Sequence, residues 1–330
     1  MAPAEPPTEH VPLLIVGGGP AGYTAALYAA RFGLEPLCLE GYDSGGQIAR
    51  SMLVENFPGI ADGTSGADLS ARVREQAERF GARIVMDEVV TTTLVPGQLL
   101  VRTASVTYRA DALVIATGSR PRQLGLSGED ALVGRGIAYC ALCDGAFFAG
   151  QDVVVVGGGN AALDEALAMA RLAARVRLVH RRDSFRADAI LEATVRADPR
   201  IQVLTPHVVE ALVDDDDEQL CGIQIRDLSS GERSYLSSQG LFIAIGHEPA
   251  SSLFTPAVAT QDGRVITHPG STATSVPGVF AAGDVADSRY RQAVTAAASG
   301  CMAAVDAQRW LASGEWPATA TDPELATAVH

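Results

Sequence analysis

Apolar stretches recur along this chain, and most are closed by glycines or by a charged residue. Residues 11–16 are apolar and run into Gly17-Gly18-Gly19-Pro20-Ala21-Gly22, after which apolar positions from Tyr23 to Phe32 follow at helical spacing. Residues 36–39 are apolar again and end in Glu40. The predicted order is strand, glycine-rich turn, helix, strand, acid. That order returns further along. Residues 153–156 lead into Gly157-Gly158-Gly159-Asn160-Ala161-Ala162, then a predicted helix from Leu163 to about Ala173 and a strand over 176–179. A shift of 140 residues lays the second block on the first without a gap, Gly17 on Gly157 and Gly19 on Gly159.

The remaining pattern divides the chain. Gly45-Gly46-Gln47 reads as a turn that exposes backbone, and 55–59, with Asn56, as a loop stiffened by Pro58. Residues 66–81 have helical periodicity; 85–95 and 99–107 read as strands joined at Pro96-Gly97. An apolar strand over 112–116 ends in Ala116-Thr117-Gly118, followed by Ser119-Arg120-Pro121. Proline cannot continue a sheet interior, so the chain is expected to leave its first domain there. After the second block, 201–212, 222–227 and 241–245 (to Ile245) read as strands, and Gly246-His247-Glu248-Pro249 marks the return. A strand over 279–282 delivers Gly283-Asp284, and 292–310 reads as a long Ala-rich helix. The ends, 1–10 and from 312 on, read as loose tails. The expected fold is α/β: two Rossmann-like, three-layer ββα dinucleotide-binding domains, the second inserted into the first. The first comprises 1–118 with 249–330 and the second 122–245, with crossings at 119–121 and 246–248.

Composition narrows the class. The 330 residues are 47% hydrophobic with 33 glycines, which suits a folded α/β protein. The net charge of −14 argues against nucleic acid or an anionic membrane as partner. The run Asp214-Asp215-Asp216-Asp217-Glu218 reads as a solvated hairpin tip. The first ten residues lack a basic and an apolar region, so they do not read as a signal peptide, and no apolar run approaches a membrane span.

The two blocks differ where ligands are read. Gly17 gives the tight turn, Gly19 lets a pyrophosphate approach the backbone, and Gly22 lets helix pack on strand. Pro20 and Ala21 stand in that turn, ahead of a helix whose N-terminus supplies unpaired N–H groups to phosphate. Glu40, at the end of the second strand, is placed to accept from a ribose diol. In the second block Gly22 becomes Ala162 and Glu40 becomes His180, followed by Arg181, Arg182 and Arg186. A carboxylate repels a 2′-phosphate and a basic cluster attracts one. The first domain should hold a dinucleotide with a free ribose and the second a 2′-phosphorylated one.

Just ahead of the second block stands Cys140-Ala141-Leu142-Cys143-Asp144. Cys38, Cys221 and Cys301 stand alone, read as small core hydrophobes and offer no second pair at zinc spacing. Between two nucleotide motifs, Cys140 and Cys143 read as a redox-active pair and Asp144 as a proton donor and acceptor for the adjacent thiol. One pair among five cysteines suits a reducing, cytoplasmic compartment.

Over nearly its whole length the chain resembles the low-molecular-weight thioredoxin reductases. The matching stretches are 17–22, 45–47, 55–59, 116–118, 140–145, 157–162, His180-Arg181-Arg182, 245–247, Ala282-Gly283-Asp284 and Arg291-Gln292-Ala293. The resemblance implies FAD in the first domain, NADPH in the second, a homodimer, and thioredoxin as disulfide substrate. It carries Gly45, Gly46, Gln47, Asn56, Val89, Asp284, Arg291, Gln292 and Ala293 over to the FAD site. It makes Cys143 the cysteine that faces the flavin, Cys140 the one that attacks the partner, and Asp144 the acid. Between the cysteines the family usually has Ala-Thr, where this chain has Ala141-Leu142; an aromatic often follows the Asp-Gly, where Ala146 stands here. Both departures fall where a protein partner would dock. Rival readings are an oxygen-using dithiol oxidase, a reductase feeding a peroxidase module, and a catalytically silent flavoprotein. The basic cluster argues against the first, the intact cysteine pair against the last. Because the pair and the nicotinamide share a domain and one flavin, a swivel about 118–121 and 246–249 is expected.

Overall fold

The computed structural model describes residues 6–316. The chain forms two compact units, one from residues up to 120 together with those from 248 on, the other from 121 to 247.

The first unit is built on a sheet whose order is Arg83–Val85, Pro36–Leu39, Thr8–Val16, Thr107–Ile115, Gln98–Arg102 and Thr91–Val95, with Val279–Ala281 also on Thr107–Ile115. The central strands run parallel, with Ile15 opposite both Cys38 and Val114, and Phe280 opposite Val114. Buried parallel strands are covered on both faces, which is why these segments read as continuous apolar runs rather than alternating ones. On one face Leu13, Ile15, Cys38 and Val114 meet the helices Pro20–Arg31 and Ala293–Ser313; on the other Leu14, Leu39, Leu113 and Ile115 meet Val101 and Phe254. The last helix is rich in Ala because it packs very closely: a Cβ on Gly300 would lie 2.1 Å from the Ala21 carbonyl oxygen.

The second unit repeats the plan. Ile201–Leu204, Arg175–Val179, Asp152–Val156, Gly240–Ile243 and Ile137–Ala138 form a parallel sheet in that order. The helices Asn160–Met169 and Ala189–Ala197 cover one face, and the antiparallel strands His207–Asp214, Leu220–Asp227 and Arg233–Ser237 contribute Ile223 and Ile225 to the other. Each unit pins the chain on its own side of the crossings: Ala250 N donates to Gly118 O in the first, and Arg122 N to Gly246 O in the second, both at 2.9 Å.

Several expectations are corrected. Residues 8–10 are strand, not tail, because Thr8–Val11 pair with Thr107–Ala110. The predicted strand over 85–95 is two strands, separated where Asp87 and Glu88 turn the chain. That over 201–212 is divided at Thr205-Pro206, since proline brings no N–H to a ladder. The helix Asn160–Met169 stops before Ala173, and Ala189–Ala197 and Arg233–Ser237 were not foreseen. Asp214–Glu218 does form a hairpin tip, with Asp215 Oδ1 accepting from Asp217 N and Gln219 N, each at 3.0 Å. At the C-terminus the helix reaches Ser313 and is closed by Gly314; the rest of the expected tail, from 317, lies outside the described residues, as do 1–5. Among the described residues no helix is long and apolar enough to cross a membrane.

Candidate functional site

The first cradle lies in the first unit. Gly19 caps the helix Pro20–Arg31 without a side-chain hydrogen bond, so the backbone N–H groups of Ala21 and Gly22 lead the helix with its positive end. Gly22 must lack a side chain: its Cβ would lie 1.8 Å from the Gly17 carbonyl oxygen. Ala116 closes the turn from below, its own oxygen 2.2 Å from a Cβ on Gly17. Gly46 borders Gly19, Gly45 is fixed by N–H donation to Tyr23 Oη at 3.2 Å, and Gln47 opens an exposed short helical turn.

Glu40 is buried at the end of Pro36–Leu39. Its Oε2 accepts from Tyr23 Oη at 2.6 Å, Ser44 Oγ at 3.2 Å and Arg74 Nε at 3.1 Å. Burial pushes its pKa up, but those donors and the Arg74 charge outweigh it and hold the carboxyl below its ordinary value. Tyr23, Ser44 and Arg74 were not foreseen as part of this cradle. Arg74 is 34 residues away in sequence, and no local spacing could have signalled it.

Of the other residues expected around a flavin, Asp284 follows Val279–Ala281 and Gly283, and Ser119 Oγ donates to its Oδ2 at 3.4 Å. Burial, aided by Asp287, raises Asp284 to about 6. Asp287 itself accepts from the backbone N of Arg289, Tyr290 and Arg291 and so shapes the turn that leads to the N-cap Gln292 and to Ala293. Thr117 Oγ1 donates to Ala250 O at 2.6 Å, beside Gly118. Val89 is buried in the sheet core, while Asn56 is exposed on its loop.

The second cradle, in the second unit, keeps the geometry and changes the chemistry. Gly159 caps Asn160–Met169 with no side-chain bond, and nothing lies within 4 Å of where its Cβ would be. Ala162, fully buried, takes the place of the third glycine, and Ala161 is exposed. Asn160 is tied to Asp188 by two reciprocal hydrogen bonds of 2.8 Å. Ile245 follows Gly240–Ile243 and is half-buried. His180 is buried under Gly158, whose Cβ would clash with its ring. Burial first, then Arg182, Arg181 and Arg186, lower its pKa, so the ring is neutral at pH 7 and the positive charge rests with the arginines. All three arginines are exposed, and among the described residues none has a carboxylate partner. The His180 Nε2 is buried without a hydrogen-bond partner. An open glycine backbone, an unpartnered imidazole nitrogen and unpaired guanidiniums fit a phosphorylated dinucleotide.

The cysteines lie in the second unit too. Cys140 and Cys143 are disulfide-bonded across the short helical turn Ala141–Asp144, their Cα atoms 5.3 Å apart. Cys140 Sγ accepts from Cys143 N at 3.2 Å. Asp144 has its carboxyl raised to about 6 by burial. Behind the turn Glu165, missed by the sequence reading, accepts from Ala141 N at 2.8 Å. One signal could have found it: the repeat lays Glu165 on Ala25, and a carboxylate in place of a buried alanine asks for a reason. Phe148 turns inward against Phe242, whereas Leu142 (76% exposed) and Phe147 (42%) stand out beside the disulfide. Cys38 is buried and Cys221 and Cys301 half-buried, as packing residues would be.

Residues 11–300 match the family model described as pyridine nucleotide-disulphide oxidoreductase. A thioredoxin reductase from Streptomyces clavuligerus is 47% identical over 304 residues, 91% of this chain and 94% of that protein. A bifunctional thioredoxin reductase/thioredoxin from Mycobacterium leprae is 47% identical over 302 residues, covering 91% of this chain and 66% of its own length. Among solved structures, the thioredoxin reductase from Streptococcus pyogenes superposes with a TM-score of 0.86 at 35% identity, over 92% of this chain and 99% of that one.

Proposed function

We propose, for a chain that belongs to the pyridine nucleotide-disulphide oxidoreductase family and falls among its thioredoxin reductases, that it is a flavoprotein disulfide reductase taking electrons from NADPH and delivering them to thioredoxin. The observation that carries this reading is the Cys140–Cys143 disulfide, backed by a half-buried Asp144, in the same unit as a dinucleotide turn whose arginines have no carboxylate partner among the described residues. FAD would be held by Gly17, Gly19, Gly22, Glu40, the turn at 45–47 and Asp284; NADPH by Gly157, Gly159, His180, Arg181, Arg182 and Arg186. When bound, FAD supplies a two-electron carrier between nicotinamide and sulfur.

The chain's own residues do the rest. Once the pair is reduced, the Cys140 thiolate attacks the partner's disulfide and releases one partner thiolate, which takes a proton. Cys143 then displaces the second partner sulfur, and the Cys140–Cys143 disulfide is restored. Asp144, poised at about 6, holds or releases a proton beside these thiols near neutral pH. Exposed Leu142 and Phe147 offer the partner an apolar contact. The Mycobacterium leprae relative, named for both activities, supports thioredoxin as that partner. We place the enzyme in the cytoplasm as a homodimer with no nucleic-acid or membrane partner, in keeping with its acidity and its one redox pair among five cysteines.

The test is NADPH oxidation with thioredoxin as acceptor, in wild type and Cys143→Ser. The variant should still bleach its flavin with NADPH and fail to turn over acceptor. Acceptor turnover at the wild-type rate would overturn the dithiol relay.

A further inference from the structure

Glu165 lies outside everything the glycine motifs and the cysteine spacing predict. It sits on the helix Asn160–Met169, past the second cradle, and its Oε2 accepts from the backbone N of Ala141 at 2.8 Å. Ala141 stands between the two cysteines, and its N–H is the first of the turn Ala141–Asp144. A leading N–H has no partner inside its own helical turn. Cys140, the N-cap residue, directs its sulfur to Cys143 N. The carboxyl of Glu165 therefore supplies, from a neighbouring helix, the cap that Ala141 lacks. The fold does not demand a carboxyl at this position, because the first unit repeats the same helix with a fully buried Ala25 there.

We propose that Glu165 is a positioning residue for the redox pair: its carboxyl clamps the Ala141 N–H, holds the turn that carries Cys140, Cys143 and Asp144, and by its charge sets how readily the reduced pair forms a thiolate. This rests on the redox reading of Cys140 and Cys143. Burial raises Glu165 to about 7 against the pull of the Ala141 hydrogen bond, and Asp144 and Asp164 add to the rise. Among the described residues those are the charges that act on it. The strands Asp152–Val156 and Arg175–Val179 and the helix Ala189–Ala197, packed on the same helix, bring none against it. Above pH about 7 Glu165 is a carboxylate and opposes negative charge on a nearby sulfur; below that it is neutral and does not.

The experiment compares wild type, Glu165→Gln and Glu165→Ala as full-length flavin-loaded enzymes, with flavin content reporting folding. Each is reduced by NADPH, and the rate of cysteine alkylation by iodoacetamide is followed across pH. Glu165→Gln should alkylate roughly threefold to tenfold faster than wild type at pH about 8, and the two should converge below pH about 6. Glutamine still offers an oxygen to Ala141, so it should turn over a disulfide acceptor well above Glu165→Ala, which loses the clamp and should fall about tenfold. Superposed alkylation profiles, or equal turnover losses in both variants, would overturn the role. Should Glu165→Ala not fold, the Glu165→Gln profile alone decides. Failure here is separable from failure of the redox reading, because Cys143→Ser tests that reading without touching Glu165.

Discussion

At the scale of single residues, side chains are chosen for charge state as much as for shape. His180 is neutral, so on the proposed reading cofactor choice falls to Arg181, Arg182 and Arg186, whose guanidiniums have no carboxylate partner among the described residues. Each charge-assisted contact to a 2′-phosphate contributes about 1.5–3 kcal/mol. Arg181→Ala with Arg182→Ala should therefore raise KM for NADPH by about a hundredfold or more and leave NADH nearly untouched. Equal losses for both cofactors would show that the arginines do not read the phosphate. Asp144 carries a different signature. Burial lifts its pKa from 3.8 to about 6. A carboxyl raised on folding stabilises the fold fully below its unfolded pKa, and that stability is lost as pH rises from about 4 through about 6. At neutral pH the chain thus carries a half-buried charge costing ~1–3 kcal/mol, which on the proposed reading serves the thiol chemistry. Asp144→Asn should raise the thermal midpoint at pH about 7.5, leave it unchanged near pH about 4, and slow acceptor turnover. Lower stability at both pH values would mean that the carboxylate is a structural partner instead.

At the scale of elements, the repeat explains both what could be read in advance and what could not. Strand, turn and helix were legible twice because parallel strands buried on both faces leave an unbroken apolar run, and because a phosphate turn tolerates glycine alone at its tightest points. The disulfide was legible because its two cysteines lie within one turn. What escaped came from distant chain or from polar surface. Arg74 reaches Glu40 across 34 residues, Glu165 reaches Ala141 across 24, and Arg233–Ser237 is a mostly exposed strand with no apolar signal. The two helix entries also differ in how closely they sit. Gly22 lies so near the Gly17 oxygen that a methyl cannot enter, whereas Ala162 is accommodated at the matching place. Gly22→Ala should therefore force helix from strand, lower the thermal midpoint and leave the chain short of flavin. Ala162→Gly removes only a buried methyl and adds backbone freedom, a loss of about 1–2 kcal/mol with NADPH reduction retained. Flavin content and thermal melts of both variants check this; a flavin-loaded Gly22→Ala enzyme of normal stability would contradict the close approach.

At the scale of the whole molecule, the chain divides its chemistry between its units. The cradle with Glu40 and Asp284 belongs to the first; the disulfide and the basic cradle belong to the second. On the proposed reading, the nicotinamide and the cysteine pair must each come up to the same flavin, and two large groups are not expected to occupy one face together. A rotation of one unit on the other, about 118–121 and 246–249, resolves this. Those crossings are the covalent links between the units, and their glycines, Gly118 at φ 70° and Gly246 at φ 110°, hold conformations that other residues rarely adopt. Interfaces between domains of one chain are usually modest and polar, so two orientations can lie close in free energy. Crosslinking the units should then split the reaction. A link that holds the disulfide against the flavin should block bleaching by NADPH. A link that holds the nicotinamide there should allow one bleaching event and no acceptor turnover. Stopped-flow absorbance of the flavin, with a cleavable crosslinker to restore motion, distinguishes the two. A crosslinked enzyme that turns over at its normal rate would mean that donor and disulfide reach the flavin in a single orientation, and the rotation would have to be abandoned.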